Sequence, residues 1–206
     1  MLSEFETRRV GRPPITENQR ELILQCAANL FAKHGFEGTS ISDLSGAVGI
    51  SKAAIYHYFA NKRELCDSII QDALHRLVLI TREEVAGASD PMSQLKLFMT
   101  SHAGQYETNR SGLITMLSSF EGMEDSPMKS ESISLRDAHE ASLRKILSDG
   151  IEQGIFKVAD VAMASRGILS MLNWLARWYK PEGRVSAREI AIQYFEMICA
   201  GLIKRS

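Results

Sequence analysis

Residues 39–62 read Thr-Ser-Ile-Ser-Asp-Leu-Ser-Gly-Ala-Val-Gly-Ile-Ser-Lys-Ala-Ala-Ile-Tyr-His-Tyr-Phe-Ala-Asn-Lys. Two short helical patterns meet in this stretch at a glycine. Ile41, Leu44 and Val48 recur at spacings of three and four, which predicts a helix over about residues 42–48. Gly49 follows the last periodic residue, where a helix commonly ends in the left-handed conformation that glycine adopts most cheaply. Ile50 is expected to plug the space between the helices. Ser51 suits an N-cap, and a second helix is predicted from Lys52, finished by Tyr56, His57, Tyr58 and Phe59. A helix, a tight glycine turn and a short second helix form the helix-turn-helix pattern, whose second helix enters the DNA major groove.

The same residues carry a family resemblance. Gly38-Thr39-Ser40-Ile41, Ala47-Val48-Gly49-Ile50-Ser51 and Ile55-Tyr56-His57-Tyr58-Phe59-Ala60-Asn61-Lys62 resemble the DNA-binding domain of the TetR (tetracycline-repressor) family, over about residues 17–65. The likeness is specific because many residue types match at fixed offsets, ending in Tyr-x-Tyr-Phe-x-x-Lys. It implies an all-α protein with an N-terminal three-helix DNA-binding domain and a larger C-terminal helical domain for ligand binding and dimerisation. The corresponding division is an arm over residues 1–15, a head over 16–62 and a body over 63–206. The implied function is a ligand-responsive transcriptional regulator, with repression taken from the family. A homodimer on a palindromic operator is the implied DNA complex.

Within the head, the first turn of the recognition helix, Ser51, Lys52 and Ala53, is expected to face base edges. Lys52 can donate to guanine O6 and N7, and Ala53 can touch a thymine methyl. The resemblance makes Tyr56 and His57 phosphate clamps. Their competing readings are a partly buried tyrosine and a solvated surface histidine. One hydroxyl of Thr39 and Ser40 is expected to cap the preceding helix, and the resemblance adds a phosphate contact to Thr39. Asn61 is expected to cap the following helix. Backbone N–H groups and Lys62 at that helix start would form an anion site for one phosphate. In the arm, Arg8-Arg9-Val10-Gly11-Arg12-Pro13-Pro14 shows no apolar periodicity. Gly11-Arg12-Pro13 resembles the minor-groove clip of AT-hook peptides. Arg8, Arg9 and Arg12 either enter a narrow A·T minor groove or form a basic tail touching only phosphate.

Composition narrows the class without naming it. The 206 residues carry a formal net charge of −1, so bulk charge does not advertise a nucleic-acid partner. The charge is nonetheless unevenly spread. Residues 1–63 hold eight basic and six acidic side chains, against sixteen and nineteen in the remainder. No apolar run approaches the ~20 residues of a membrane span, and the acidic start Met1-Leu2-Ser3-Glu4-Phe5-Glu6 lacks a signal-peptide core. Cys26, Cys66 and Cys199 are widely spaced and odd in number, which suggests neither a disulfide framework nor a zinc cluster. A cytoplasmic protein without a cofactor or metal is expected.

The first helix is predicted over residues 17–34, with Leu22/Ile23, Cys26/Ala27 and Leu30/Phe31 forming an apolar stripe. A long connector is predicted from Lys62 to about Val85. Body helices are predicted at about 91–106, 111–121, 131–154, 158–179 and 186–204, separated by Gly-, Pro- and Ser-rich breaks. No catalytic constellation is visible, since His75, His102 and His139 stand apart. The chain is therefore not expected to be an enzyme. The rival reading is a small-molecule-binding or enzymatic helical protein with a non-functional head; intact Lys52, Tyr56, His57 and Lys62 argue against it.

The resemblance implies an effector pocket in the body, over about residues 91–179. Phe98, Met99, His102, Tyr106, Met116 and Phe120 supply apolar walls and a few polar groups. Taken one at a time, these residues equally suit an ordinary core. A second candidate, Asn173-Trp174-Leu175-Ala176-Arg177-Trp178-Tyr179-Lys180, resembles the C-terminal segment of TetR regulators that sense acyl-CoA or other CoA thioesters. Trp174 and Trp178 could stack on adenine while Arg177 and Lys180 pair with phosphate. Packing at a dimer interface is the alternative for both tryptophans. The two final helices carry apolar residues on more than one face, among them Ile168, Leu172, Leu175, Ile190, Tyr194 and Ile198. This predicts a four-helix interface between two copies.

Overall fold

The structure, a computed structural model, describes residues 17–123 and 125–202, and every element in them is helical. Arg8, Arg9 and Arg12 lie outside the described residues. The head comprises α1 (Glu17–His34), α2 (Ile41–Val48) and α3 (Lys52–Tyr58). Its turns follow from local chemistry. Ser40 caps α2 in a capping box, its hydroxyl oxygen accepting from the Asp43 N–H while the Asp43 carboxylate accepts from the Ser40 N–H at 2.8 Å. Gly49 closes α2 at φ +76°, a conformation in which a Cβ would be strained. Ser51 caps α3 by accepting from the Ala54 N–H at 3.1 Å. Ile23, Ala27, Phe31, Leu44, Ile55 and Phe59 are buried together beneath these turns. Ile50 is only half-buried, and Leu22 is 42% exposed, so the α1 stripe buries through Ile23, Ala27 and Phe31.

From the head, α4 (Lys62–Val85) runs into the body as one helix of 24 residues, about 36 Å long at 1.5 Å per residue. Asn61 caps it by accepting from the Glu64 N–H at 2.8 Å. Its inner face, Leu65, Ile69, Ile70, Ala73, Leu74 and Leu77, extends the head's apolar core without interruption into the body.

The body adds α5 (Pro91–Thr108), α6 (Arg110–Ser119) with a 3₁₀ turn at Phe120–Gly122, and α7 (Pro127–Glu152). It is completed by α8 (Val161–Asn173), the single turn α9 (Leu175–Trp178) and α10 (Ala187–Leu202). Asp90, Ser126 and Asp160 cap α5, α7 and α8. The first two are followed by proline at a position where its missing N–H costs nothing. The axis of the body is α5, buried without a break from Phe98 to Tyr106. Packed around it are α4, α6, α7 and α10.

Two boundaries differ from the periodicity. The α7 helix starts at Pro127 rather than near residue 131, because the Ser126-Pro127 cap begins a helix where composition reads as a loop. The stretch expected to be helical over 158–179 breaks at Trp174, where the Arg177 N–H donates to the Trp174 carbonyl three residues back. Ile168, Leu172, Leu175 and Tyr179 are buried on both sides of that break, so apolar spacing runs straight through it.

A polar clamp sets the last helix on this frame. The Arg188 guanidinium on α10 grips both carboxylate oxygens of Glu84 on α4, at 2.7 and 3.0 Å. Donation from Arg188 holds the Glu84 carboxyl below its usual range. Arg188 crosses α5 at Gly104, where a Cβ would stand 2.7 Å from its Nε. No helix among the described residues is long and apolar enough to cross a membrane.

Candidate DNA-binding face and effector cavity

One face of α3 is exposed and the other is core. Ile55 and Phe59 are fully buried, while Lys52, Ala53, Tyr56 and His57 all face outward, Tyr56 with half of its surface exposed. This places a cation, a methyl, a phenol and an imidazole on one short surface, next to each other by helical spacing. His57 also packs edge-on against Tyr58, at 5.7 Å between ring centroids.

The other predicted contacts hold the motif in shape. Thr39 is buried, and its hydroxyl donates to the Gly35 carbonyl at 3.0 Å. The Ser40 and Ser51 hydroxyls serve the caps described above. The Lys62 ammonium donates to the carbonyls of Phe36 (2.8 Å) and Thr39 (3.1 Å) and lies 4.1 Å from the Phe36 ring centroid. An ammonium has three N–H donors, so at most one of Lys62's remains for a phosphate. Arg63 stacks on the same ring at 3.8 Å. That double cation platform on Phe36 was not legible in the sequence, because Phe36 and Lys62 lie on opposite sides of the motif.

The body holds a cavity of about 430 Å³, walled by five helices. Its apolar lining is Leu74 and Leu77 from α4, Met116 and Leu117 from α6, Phe120 from the 3₁₀ turn, and Leu169 from α8. Polar lining comes from His102 on α5, Arg136, His139 and Glu140 on α7, and Arg166, Ser170 and Asn173 on α8, with Glu121 at the turn. Among the predicted ligand residues, His102, Met116 and Phe120 line this space. Phe98, Met99 and Tyr106 do not; they are buried in the core behind it, and the Tyr106 hydroxyl donates to the Asn173 carbonyl at 3.3 Å. Trp174, Arg177, Trp178 and Lys180 are exposed and line no part of the cavity. Arg136, His139 and Glu140 share one helix face by their spacing, as do Arg166, Leu169 and Asn173. Sequence shows that sharing but not what the face meets.

The polar wall contains a buried histidine pair, with His102 Nδ1 3.0 Å from His139 Nε2. Burial pushes His102 down to about 4. It also holds His139 well below the ordinary histidine range, with repulsion from His102 adding to the effect. Phe98 stacks on His139 at 4.6 Å. A second, larger cleft of about 550 Å³ separates α1 from the α5–α6 corner. It is lined by charged groups that already pair, such as Arg76 with Asp72 at 2.9 Å and with Glu21 at 3.7 Å. That cleft reads as a solvated seam between head and body.

Comparison with known proteins converges on this architecture. Residues 23–69 match the profile described as bacterial regulatory proteins, tetR family, and residues 88–202 match the one described as tetracyclin repressor-like, C-terminal domain. The HTH-type transcriptional repressor KstR2 of Mycobacterium tuberculosis is 27% identical over 189 residues, spanning 91% of this chain and 94% of its own. The solved structure of that ketosteroid transcriptional regulator superposes with a TM-score of 0.85 at 25% identity, covering 92% of this chain and 97% of that one. The TetR family regulator PfmR of Thermus thermophilus is 42% identical with a TM-score of 0.81, over 88% of this chain and 99% of that one. AibR, solved with isovaleryl coenzyme A and operator DNA, shares the fold at 22% identity and a TM-score of 0.76, over 87% and 97% of the two chains. A capped three-helix head with an outward α3 face, a long connector and a matching helical body together assign the chain to the TetR family of bacterial transcriptional regulators.

Proposed function

We infer that the protein represses transcription as a homodimer on a palindromic operator. It releases DNA when a small apolar effector, free or as the acyl part of a CoA thioester, enters the body cavity. The observation that carries this reading is the double role of α6. Met116 and Leu117 line the cavity, while Thr115 on the same helix donates to the Ala28 carbonyl of α1 at 3.4 Å. α1 packs on α2, which in turn packs on α3. An effector wedged against Met116 favours a different seating of α6, which displaces α1 and the face it carries. Release requires the effector to prefer that seating.

On the DNA, Lys52 and Ala53 meet base edges and Tyr56 and His57 meet phosphates. Arg8, Arg9 and Arg12 of the arm add backbone or minor-groove contacts. The homodimer is supported by exposed apolar surface on the last helices: Met163 and Trp174 are each 62% exposed and Met197 60%. Met163 and Gly167 on α8 and Trp174 at its C-cap follow one another at spacings of four and seven. Such a face is better covered by a partner than by water. A two-fold pairing would set two α3 helices in successive major grooves, ~34–36 Å apart. That use of Trp174 competes with adenine stacking, and the apolar α8 face favours the interface. The CoA-thioester form of the effector draws on the Trp174–Lys180 cluster and on AibR as a protein of the same fold.

Binding-site selection with the full chain, followed by titration of the selected duplex, tests the reading. A palindrome with steeply salt-dependent affinity is expected. Release by long-chain acyl-CoA would support the thioester form. Sedimentation as a monomer at micromolar concentration, or selection of no palindrome, would sink the dimeric repressor.

A further inference from the structure

The buried end of the cavity constrains the chemistry of its occupant. His102 is 1% exposed and His139 5%. Their 3.0 Å contact needs one ring to donate and the other to accept, and burial keeps both neutral. With Nδ1 committed to His139, His102 has one ring nitrogen left. That nitrogen, Nε2, is buried and has no hydrogen-bond partner among the described residues. A buried polar atom left in this state is destabilising until a partner satisfies it. The Asn173 side chain reaches toward the His102 ring and partly offsets the effect of burial, yet closes no hydrogen bond on Nε2, while Leu74, Leu77, Met116 and Leu169 supply an apolar surround.

Resting on the effector reading, we propose that this cavity takes an apolar molecule bearing an uncharged oxygen, a hydroxyl or a carbonyl, and that His102 Nε2 exchanges a hydrogen bond with that oxygen. Both tautomers of the pair serve. If His139 donates to His102, Nε2 carries the proton and donates to the ligand oxygen. If His102 donates to His139, Nε2 accepts from a ligand hydroxyl. A carboxylate does not suit this end, because two neutral imidazoles offer no compensating cation for a desolvated charge. The cations of the lining sit elsewhere: the Arg136 and Arg166 side chains are 50% and 65% exposed. Any anionic group of the effector therefore belongs toward solvent, with the uncharged oxygen inside.

The test uses the whole chain and four probes on one skeleton: decalin, decalol, decalone and decalin carboxylate. Affinity is read by calorimetry and by the ligand-induced rise in Tm. Decalol or decalone should bind at least about tenfold tighter than decalin and than the carboxylate, since one satisfied buried hydrogen bond is worth about that factor. His102→Phe keeps the ring volume without the polar atoms, and it should remove the preference by raising decalin affinity to that of decalol. If His102→Phe does not fold, His102→Gln retains a polar end and should keep part of the preference. The wild-type series stands on its own in either case. Decalin or the carboxylate binding as tightly as decalol would overturn the proposal. So would a preference that survives His102→Phe, or the absence of saturable binding by any probe. Operator binding by the same preparation separates the two claims. Intact palindrome binding without an oxygen preference removes only this inference, and lost palindrome binding removes the repressor reading.

Discussion

The outward face of α3 draws its side chains from six consecutive residues, Lys52 to His57, whereas the cavity draws its walls from five helices spread between Leu74 and Asn173. The first is a surface written by one helical turn and its caps. The second exists only where distant segments meet. A face made by one element is damaged locally, and its neighbours are spared. A cavity made by five elements ties together groups whose burial each depends on the others, which is why the histidine pair can stay neutral there.

The largest effect that would break this comparison is expected in the core beneath α3. Ile55 has no exposed surface, and Ile55→Ala should cost about 2–5 kcal/mol, read as a drop in Tm with loss of operator binding. If DNA affinity falls while Tm holds, α3 is not anchored as described.

The cavity makes a pH prediction of comparable size. The folded-state pKa of His102, about 4, lies below its unfolded value of about 6.5. The unfolded chain therefore binds more protons between those values, and stability falls as pH is lowered through that window. The loss for His102 alone approaches about 3 kcal/mol at the acid end. Denaturant titrations from pH 7 to about pH 4.5 should show the decline, and His102→Phe with His139→Phe should flatten it. A flat wild-type profile would mean the pair is hydrated.

Sharpening the DNA face calls for Lys52→Ala. It should cost about 1–3 kcal/mol of operator affinity, relax selection at one base position and leave Tm unchanged. A uniform loss across all sequences, with a smaller salt slope, would instead make Lys52 a phosphate contact. The smallest expected change is Ser40→Ala, which removes one side of the α2 capping box and should lower stability by about 1 kcal/mol. No change in unfolding would mean that Gly49 and the core set α2 unaided.

The head was legible in sequence almost to the residue, because its signals are local. Ser40, Gly49, Ser51 and Asn61 act on backbone within four positions of themselves, and α1 and α4 begin and end where periodicity predicts. Of the residues expected to touch phosphate, Thr39 and Lys62 each spend hydrogen bonds on the head's own carbonyls, which helical spacing does not reveal. The effector set divided in the same way. His102, Met116 and Phe120 line the cavity, while Phe98, Met99 and Tyr106 fill the core behind it. Helical spacing says which residues share a face and is silent on what that face meets.

By itself, the sequence determined the helical class, the capped helix-turn-helix, the family and the long connector, because periodicity, caps and glycine conformations act over a few residues. Tertiary structure alone decided that His102 meets His139, that Lys62 and Arg63 share the Phe36 ring, and that Trp174 faces outward. Each of these joins or separates groups far apart in the chain, and only the packing of whole helices sets those distances.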